Sequence, residues 1–256
     1  MRLRSSALPV LLLLPGLWSV PLARGLERPI QWAPIDSVSI AITFDACATS
    51  TKGFGFDRAI FETLKREQVP ATIFVSGRWV EQHADAMTDL AQSPLIEFGD
   101  HSYDHPHMRS LLPEQMAREI DTTEATLARY GKRGVAFRPP YGEWSQGVLQ
   151  VLREKQLPVV LWDVVSGEPS DQISANGIVR NVLTRTRAGS IIVFHINGRG
   201  WRTADALPMV IAQLRGRGFR FVPLSELLAG RHAHPLAPVP ATMTGPPDFD
   251  PLVPAR

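Results

Sequence analysis

Two histidines spaced four residues apart, His101 and His105, stand in the segment HSYDH and could bind one metal ion together. Imidazole nitrogens are common zinc ligands, and one helical turn or a tight loop would direct both rings to one point. Two histidines at this spacing can also serve only as hydrogen-bonding groups. A catalytic metal site usually has three protein ligands, so the third here would be a carboxylate or another imidazole.

A single carboxylate, Asp45, ends the apolar segment SVSIAITFD, where an unpaired charge would be costly to bury. Arg138, in the segment RPPYG, is a natural partner. A guanidinium can hold a carboxylate through two parallel hydrogen bonds and keep it ionised. Beside a metal ion, an ionised and oriented aspartate would be a general base. A purely structural Asp–Arg pair explains the two residues equally well.

A third candidate, His195, ends the apolar segment SIIVFH and precedes a turn that contains glycine. A lone histidine in such a place is usually a hydrogen-bonded core residue. Opposite a base and a metal ion, it could instead donate a proton to a leaving group. Glu168 or Asp163 could hold its ring and keep it protonated.

These residues follow short apolar segments that alternate with segments of helical spacing. Because they are apolar on both alternations, the short segments are typical of strands buried on both faces. Their alternation with helices predicts an α/β fold, and their number in a short chain favours a distorted (β/α) barrel with about seven parallel strands over an open sheet. Ligands of such folds bind beyond the carboxyl ends of the strands. The seven segments are SVSIAITFD, ATIFVSG, LIEFGD, GVAFRPP, PVVLWDVV, SIIVFH and FRFVPL.

Three longer segments have the apolar spacing of amphipathic helices. Pro208, in the third of them, suits only the first turn of a helix, because proline lacks a backbone N–H. The three segments are FDRAIFETLKREQ, PEQMAREIDTTEATLARYG and TADALPMVIAQLRGRG.

The two ends of the 256-residue chain differ from its middle. Residues 1–25 have two arginines, an apolar stretch and then small residues, which predicts a secretory signal peptide and a periplasmic or secreted protein; an uncleaved membrane anchor is the alternative. Residues 231–256 are rich in proline, which predicts a flexible tail and leaves a folded domain over 35–230.

A net charge of +2 gives no reason to expect nucleic acid binding. The chain has one cysteine, Cys47, and we expect its thiol to be buried as a small core group.

With these residues in place, the chain resembles the polysaccharide deacetylases of the NodB-homology type, carbohydrate esterase family four, over about residues 38–228. The segment HSYDH matches the family's H-[ST]-x-x-H motif. The resemblance therefore implies that His101 and His105 bind a divalent metal, zinc in the first instance. The motifs that stand in the family's order include TFDAC, HSYDH, RPPYG and IIVFH.

The same resemblance implies a role for each of the other reactive residues. Asp45 matches the aspartate that is the family's catalytic base, and Arg138 matches the arginine that tethers it. The backbone N–H of Tyr141 would help to hold the oxyanion. His195 matches the catalytic acid.

The sequence departs from the family's pattern in two places: at the third metal ligand and at the acidic residue that pairs with the catalytic histidine. The family's third metal ligand is an aspartate, and Ala46 stands in its place with a methyl group that cannot bind a cation. The fourth motif usually ends in Asp-Trp, and the matching pair here is Glu168–Pro169, so Glu168 would pair with His195. Waters or an unplaced carboxylate would complete the metal's ligands. The nearest replacements in sequence are Asp100, Asp104, Cys47 and Thr49.

The resemblance implies a secreted, metal-dependent deacetylase that removes acetyl groups, N-acetyl first, from a glycan such as peptidoglycan or a chitin-like polymer. The expected partner is an acetylated polysaccharide or oligosaccharide, with no nucleic acid and no membrane span once the signal is removed. The alternative is a non-catalytic glycan-binding relative that has lost its metal site, which Ala46 suggests. A glycoside hydrolase would need two carboxylates flanking a bond and leaves the histidine pair unexplained.

Overall fold

A computed structural model of the protein describes residues 28–48 and 55–231. The predicted signal peptide, residues 1–25, lies outside the described residues, as does the predicted tail beyond position 231. No helix within the described ranges combines the length and apolar character needed to cross a membrane.

The described residues form six strands and eight α-helices. The strands are β1 (Ser39–Ala46), β2 (Ala71–Val75), β3 (Ile96–Asp100), β4 (Val164–Val165), β5 (Ile191–His195) and β6 (Arg220–Phe221). The helices are α1 (Arg58–Arg66), α2 (Gly77–Gln82), α3 (Ala84–Gln92), α4 (Pro113–Ala128), α5 (Gln146–Glu154), α6 (Ala175–Arg185), α7 (Thr203–Gly216) and α8 (Leu224–Arg231).

The strands pair in parallel in the order β3-β2-β1-β5-β4, and β6 pairs with one end of β1. Strand β1 is therefore central, and all eight of its residues are buried. The register sets Asp45 opposite His195 at the carboxyl ends of β1 and β5. The predicted α/β fold with a parallel, barrel-like sheet is thus confirmed, with reactive residues at the predicted end.

The segment GVAFRPP, predicted as a full strand, differs from the prediction. It is joined to its neighbours by single-residue bridges, in which Phe137 pairs in parallel with Asp100 on one side and with Val159 on the other. Pro139 and Pro140 follow directly, and because proline has no N–H to donate, the ladder cannot continue through them. The sheet is closed into a distorted barrel at this point by bridges and not by a seventh strand.

Four of the helices, α1, α2, α5 and α6, begin at a residue whose side chain caps them. At α1 the carboxylate of Asp57 accepts the N–H groups of Ala59 and Ile60. Helix α7 begins at Thr203, earlier than its proline suggested, so Pro208 is the sixth residue and not part of the first turn. The buried apolar stripe of this helix, which includes Leu207 and Leu214, explains why the helix continues past a residue that removes one hydrogen bond.

Alternation along β1 separates two environments. Ile42, Phe44 and Ala46 belong to the apolar layer between the sheet and the surrounding helices. The intervening side chains face the barrel interior, where Thr43 accepts a hydrogen bond from a buried arginine and Asp45 lines a cavity. Because successive side chains of a strand point to opposite faces, Asp45 and Ala46 face opposite sides of the sheet.

Candidate active site

A cavity of about 360 Å³ opens at the carboxyl ends of the strands. Every predicted site residue except Arg138 lines it, and Arg138 is fully buried and donates a hydrogen bond to one of the lining residues, Asp45. Parallel topology thus brings together residues that are up to 150 positions apart in sequence. The predicted residues that line the cavity are Asp45, His101, His105, Tyr141, Glu168 and His195.

The Asp45–Arg138 pair forms, but through one hydrogen bond and not two. Arg138 Nη1 donates to Asp45 Oδ1 at 2.6 Å. Its Nη2 donates elsewhere, to Thr43 Oγ1 at 2.9 Å and to the carbonyl of Leu161 at 3.2 Å. The second guanidinium nitrogen is therefore occupied, which leaves Asp45 Oδ2 turned toward His101, with 3.9 Å between Oδ2 and Nε2.

The guanidinium of Arg138 lies close to two aromatic rings. Its central carbon is 4.0 Å from the ring centre of Phe74 and 5.4 Å from that of Trp162. A cation above an aromatic face is attracted by the ring's electrons, so these contacts offset part of the cost of burying the charge.

The charge state of Asp45 follows from its surroundings. Burial by itself would raise the pKa of this carboxyl, but Arg138, His101 and His195 together hold it below its usual value. Asp45 is therefore ionised at neutral pH. A general base must be unprotonated before the reaction, and Asp45 meets that condition.

The segment HSYDH folds as a tight loop after β3, one of the two local structures that its spacing allows. Ser102 and His105 adopt left-handed backbone conformations, with φ of 64° and 55°. The carboxylate of Asp100 accepts the N–H of Ser102 at 2.7 Å, and the Ser102 hydroxyl accepts the N–H of His105 at 3.1 Å. These bonds hold non-glycine residues in an uncommon conformation, a form of strain that concentrates at functional sites.

The two imidazoles of this loop are oriented as a ligand pair. Their ring centres are 4.8 Å apart. Nδ1 of His101 donates to the carbonyl of Arg138 at 2.7 Å, since a carbonyl only accepts, and this bond directs Nε2 of His101 toward Asp45. Nδ1 of His105 is buried and has no hydrogen-bond partner among the described residues.

Both imidazoles are also in the protonation state that metal binding needs. Burial lowers the pKa of His101, and it lowers that of His105 further, with help from the neighbouring His101. Neutral imidazoles bind metals, whereas protonated ones do not. The orphaned Nδ1 of His105 and the oriented ring of His101 therefore fit a divalent metal as two of its ligands.

Among residues 28–48 and 55–231, a third protein ligand is not found beside them. Ala46 is fully buried in the apolar layer outside the barrel. Within the described ranges, three or more His, Cys, Asp or Glu side chains do not come together in a way that could hold a metal ion. The described residues offer His101 and His105 as ligands, and the expectation that waters or an unplaced carboxylate complete the set stays a prediction.

The replacements proposed from sequence are engaged elsewhere. Asp100 is buried outside the cavity, and burial, together with the nearby Glu124, raises its pKa well above the usual value. Asp104 forms an ion pair with Arg78. The thiol of Cys47 is buried, with its pKa raised to about 12 by burial and by the charge of Asp45. Thr49 lies outside the described residues.

Of the two acids proposed to support His195, the structure places Glu168 against it. Nδ1 of His195 donates to Glu168 Oε1 at 2.7 Å, and Glu168 is fully buried. Asp163 instead accepts the N–H of Ile191 at 2.8 Å and the hydroxyl of Ser190 at 3.0 Å. The Glu168 contact directs Nε2 of His195 to the cavity side.

Tyr141 forms part of the cavity wall beside the histidine pair. Its φ is 60°, again left-handed. Its hydroxyl donates to the carbonyl of His105 at 3.1 Å, and its ring meets the His105 ring edge to face at 4.6 Å. The segment RPPYG thus supplies both the buried arginine and a wall residue packed on the metal-ligand candidate.

Sequence reasoning missed two side chains of this site. Thr43 accepts a hydrogen bond from Arg138, and its position two residues before Asp45, on the same face of a strand, was a signal that could have found it. Thr203 donates to Glu168 Oε2 at 2.7 Å across 35 positions of sequence, and no local pattern marks it.

Known proteins share this arrangement of sequence and fold. Residues 34–160 match the sequence profile described as polysaccharide deacetylase. A peptidoglycan-N-acetylglucosamine deacetylase of Bacillus cereus is 30% identical over 216 residues, which cover 80% of this chain and 76% of that protein. The chain belongs to the polysaccharide deacetylase family.

Solved structures of polysaccharide deacetylases have the same fold. The Bc1960 peptidoglycan N-acetylglucosamine deacetylase superposes with a TM-score of 0.71 at 29% identity, covering 77% of this chain and 91% of that one. A family 4 carbohydrate esterase from Streptomyces lividans, in complex with acetate, gives 0.64 at 28% identity, covering 77% and 97%. The resemblance inferred from the motifs is confirmed at the level of family and fold.

Proposed function

We propose that the protein is a secreted, metal-dependent deacetylase that removes acetyl groups, N-acetyl first, from a glycan such as peptidoglycan or a chitin-like polymer. The observation that carries this proposal is the pairing of Asp45 with His195 across the ends of β1 and β5, in one cavity with two neutral imidazoles. A base and an acid on neighbouring strands can act on one bond from two sides. The peptidoglycan deacetylases among the relatives support this substrate class.

His101 and His105 would hold the metal, with water in the place of the missing aspartate. When bound there, a divalent cation such as zinc supplies Lewis-acid polarisation of the acetyl carbonyl and lowers the pKa of the attacking water. The absence of an anionic ligand at position 46 would weaken its binding.

Asp45 would take the proton from the attacking water. It is ionised, and its Oδ2 lies toward His101, another residue of the cavity lining, while Oδ1 accepts a hydrogen bond from Arg138. The single hydrogen bond fixes the carboxylate without occupying the oxygen that must accept the proton.

His195 would protonate the departing amine or sugar hydroxyl through Nε2, because Nδ1 is bound to Glu168. The backbone N–H of Tyr141 would donate to the oxyanion that forms as water adds to the carbonyl. Removing one such donor from an oxyanion site typically slows a reaction about 10²- to 10³-fold.

Acetate release tests the proposal. Purified protein with added zinc or cobalt is incubated with N-acetylglucosamine oligomers, peptidoglycan and acetylated xylan. We expect release from at least one N-acetylated substrate and a loss of about 10²- to 10⁴-fold in Asp45→Asn, the size of a general-base contribution. Equal acetate from both proteins on every substrate and metal contradicts the proposal.

A non-catalytic glycan-binding protein is the second candidate function, and Ala46 is the observation that favours it. A binder would keep its affinity for glycan without a metal. Glycan affinity that is unchanged in His101→Ala, in a protein purified without bound metal and without acetate release, favours the binder. Metal-dependent acetate release excludes it.

Export is proposed on the sequence of residues 1–25. Expression of the full chain in a bacterial host, followed by intact mass measurement of the periplasmic or extracellular protein, tests it. We expect a mature protein that lacks about the first 25 residues. A full-length mass in the cytoplasmic fraction alone contradicts export.

A further inference from the structure

Both oxygens of the Glu168 carboxylate are used inside the protein. Oε1 accepts the ring N–H of His195 and Oε2 accepts the hydroxyl of Thr203, each at 2.7 Å. Glu168 and Thr203 are fully buried. The carboxylate is thus held between the candidate acid and the first residue of α7.

The turn before α7 leaves a space that this arrangement requires. A Cβ at Gly200 would lie 1.9 Å from Glu168 Oε2 and 2.0 Å from Thr203 Oγ1. The N–H of Trp201 donates to the backbone carbonyl of Glu168 at 3.2 Å, and the N–H of Thr203 donates to that of Gly200 at 3.2 Å. Backbone hydrogen bonds therefore bring Thr203 to Glu168, and only a residue without a side chain fits between them.

The length of the Glu168 side chain explains why a second hydrogen bond is needed to fix its conformation. Glutamate has one more rotatable bond than aspartate, so it has more conformations to lose before it can hold a ring. A hydroxyl bonded to the far oxygen selects one conformation. Without that donor, the oxygen would be a buried acceptor with an unmet hydrogen bond, which is unfavourable, and the carboxylate would turn to seek another partner.

We propose that Thr203 is a positioning residue for acid catalysis: its hydroxyl, in the space left by Gly200, locks Glu168 in the conformation that holds His195 with Nε2 toward the cavity. This inference rests on the proposed deacetylase function. Thr203 acts through Glu168 and touches neither substrate nor metal. Removing a group that orients a metal-bound imidazole commonly costs about 10- to 100-fold in activity, and we expect an effect of similar size for the imidazole of His195.

The experiment compares Thr203→Val, which keeps the shape and removes the hydroxyl, with Thr203→Ser, which keeps the hydroxyl. On N-acetylated oligomers we expect the valine variant to lose about tenfold or more in kcat with KM within about twofold, and the serine variant to recover most of kcat. Thr126→Val is the matched control. Thr126 is equally buried, but its hydroxyl bonds to the carbonyl of Thr122 within α4, outside the cavity.

A second measurement does not depend on turnover. In protein labelled with ¹⁵N-histidine, the Nδ1 proton of His195, assigned with His195→Gln, reports its bond to Glu168. We expect this signal to be kept in the serine variant and in the Thr126→Val control, and to broaden or exchange faster in Thr203→Val.

An unchanged signal in a folded Thr203→Val protein overturns the inference, whatever the activity. A changed signal with wild-type kcat overturns the catalytic role. A wild-type protein that releases no acetate overturns the proposed function and, with it, the catalytic role of Thr203, while the signal still shows whether Thr203 holds Glu168. Thermal unfolding of each variant identifies a loss that is due to misfolding.

Discussion

Arg138 donates a hydrogen bond to Asp45 Oδ1 at 2.6 Å and leaves Oδ2 facing His101. A bidentate pair would bind the carboxylate more strongly, but it would occupy both oxygens. Here the other Nη nitrogen of the guanidinium is taken by Thr43 and by the Leu161 carbonyl. Oδ1 of Asp45 thus fixes the position of the carboxylate, and Oδ2 remains available to accept a proton.

The pairing predicts how stability depends on pH. Asp45→Asn leaves the buried guanidinium of Arg138 without a counter-charge, so we expect the free energy of unfolding to fall by about 3–5 kcal/mol at pH 7. Because the pKa of Asp45 in the folded protein lies below its ordinary 3.8, the wild type's advantage is complete above that value and is lost as pH falls through the folded pKa. Urea unfolding of both proteins between pH 7 and pH 3 measures the difference between their free energies of unfolding. A difference that stays constant over this range would show that folding does not lower the pKa of Asp45.

Gly99 predicts a second effect on the same pair. A Cβ at this position would lie 2.3 Å from the Phe74 ring, on which the guanidinium of Arg138 rests. Gly99→Ala must displace the ring that the Arg138 guanidinium contacts, so we expect a loss of about 1–3 kcal/mol in unfolding free energy, as for other overpacked cores, and reduced acetate release.

Gly216→Ala is the control for that substitution. Gly216 ends α7, and a Cβ there would meet nothing within 4 Å. Urea denaturation should show the control equal to the wild type or slightly more stable, because alanine restricts the unfolded chain. Equal stability of both variants would show that Phe74 yields freely and does not support Arg138.

The sheet could be predicted from sequence because each strand carries its own signal. The apolar segments that end at Asp45, Asp100 and His195 are all strands that end within a residue of those positions. The segment before Arg138 carries the same signal but forms single-residue bridges, since the prolines after it stop the ladder. Apolar composition indicates that a segment is buried, but pairing with a neighbouring strand also requires backbone N–H donors, which proline lacks.

The site could be predicted in its residue types but not in its contacts. Asp163 lies inside the apolar segment PVVLWDVV and Glu168 follows it closely, so sequence could not choose between them for His195. Glu168 is held beside His195 by a turn whose residue Thr203 lies 35 positions downstream. There the hydroxyl of Thr203 donates a hydrogen bond to the Glu168 carboxylate, and Gly200 leaves room for that carboxylate. Contacts of this kind arise only when the barrel brings distant turns together.

Metal binding gives a third prediction. Because His101 and His105 are neutral and oriented as a ligand pair, we expect the protein to bind zinc, and His101→Ala and His105→Ala each to weaken that binding by at least about tenfold. Titration calorimetry with zinc chloride measures the affinity directly. His83→Ala is the matched control, because His83 lies outside the cavity, stacked on Trp79, and should leave affinity unchanged. Equal affinities in all four proteins would place the metal elsewhere.

Cys47 gives the fourth prediction, which also tests whether a thiolate replaces the missing ligand. Burial and the charge of Asp45 raise the pKa of this thiol to about 12 from an ordinary 9.0, so the thiolate fraction at pH 8 falls about a thousandfold. We expect iodoacetamide to label the native protein at least that much more slowly than the urea-unfolded protein, and Cys47→Ala to keep the zinc affinity of the wild type. Zinc that protects a fast-reacting thiol, or affinity lost in Cys47→Ala, would instead make Cys47 the third ligand, since only a deprotonated sulfur binds the metal.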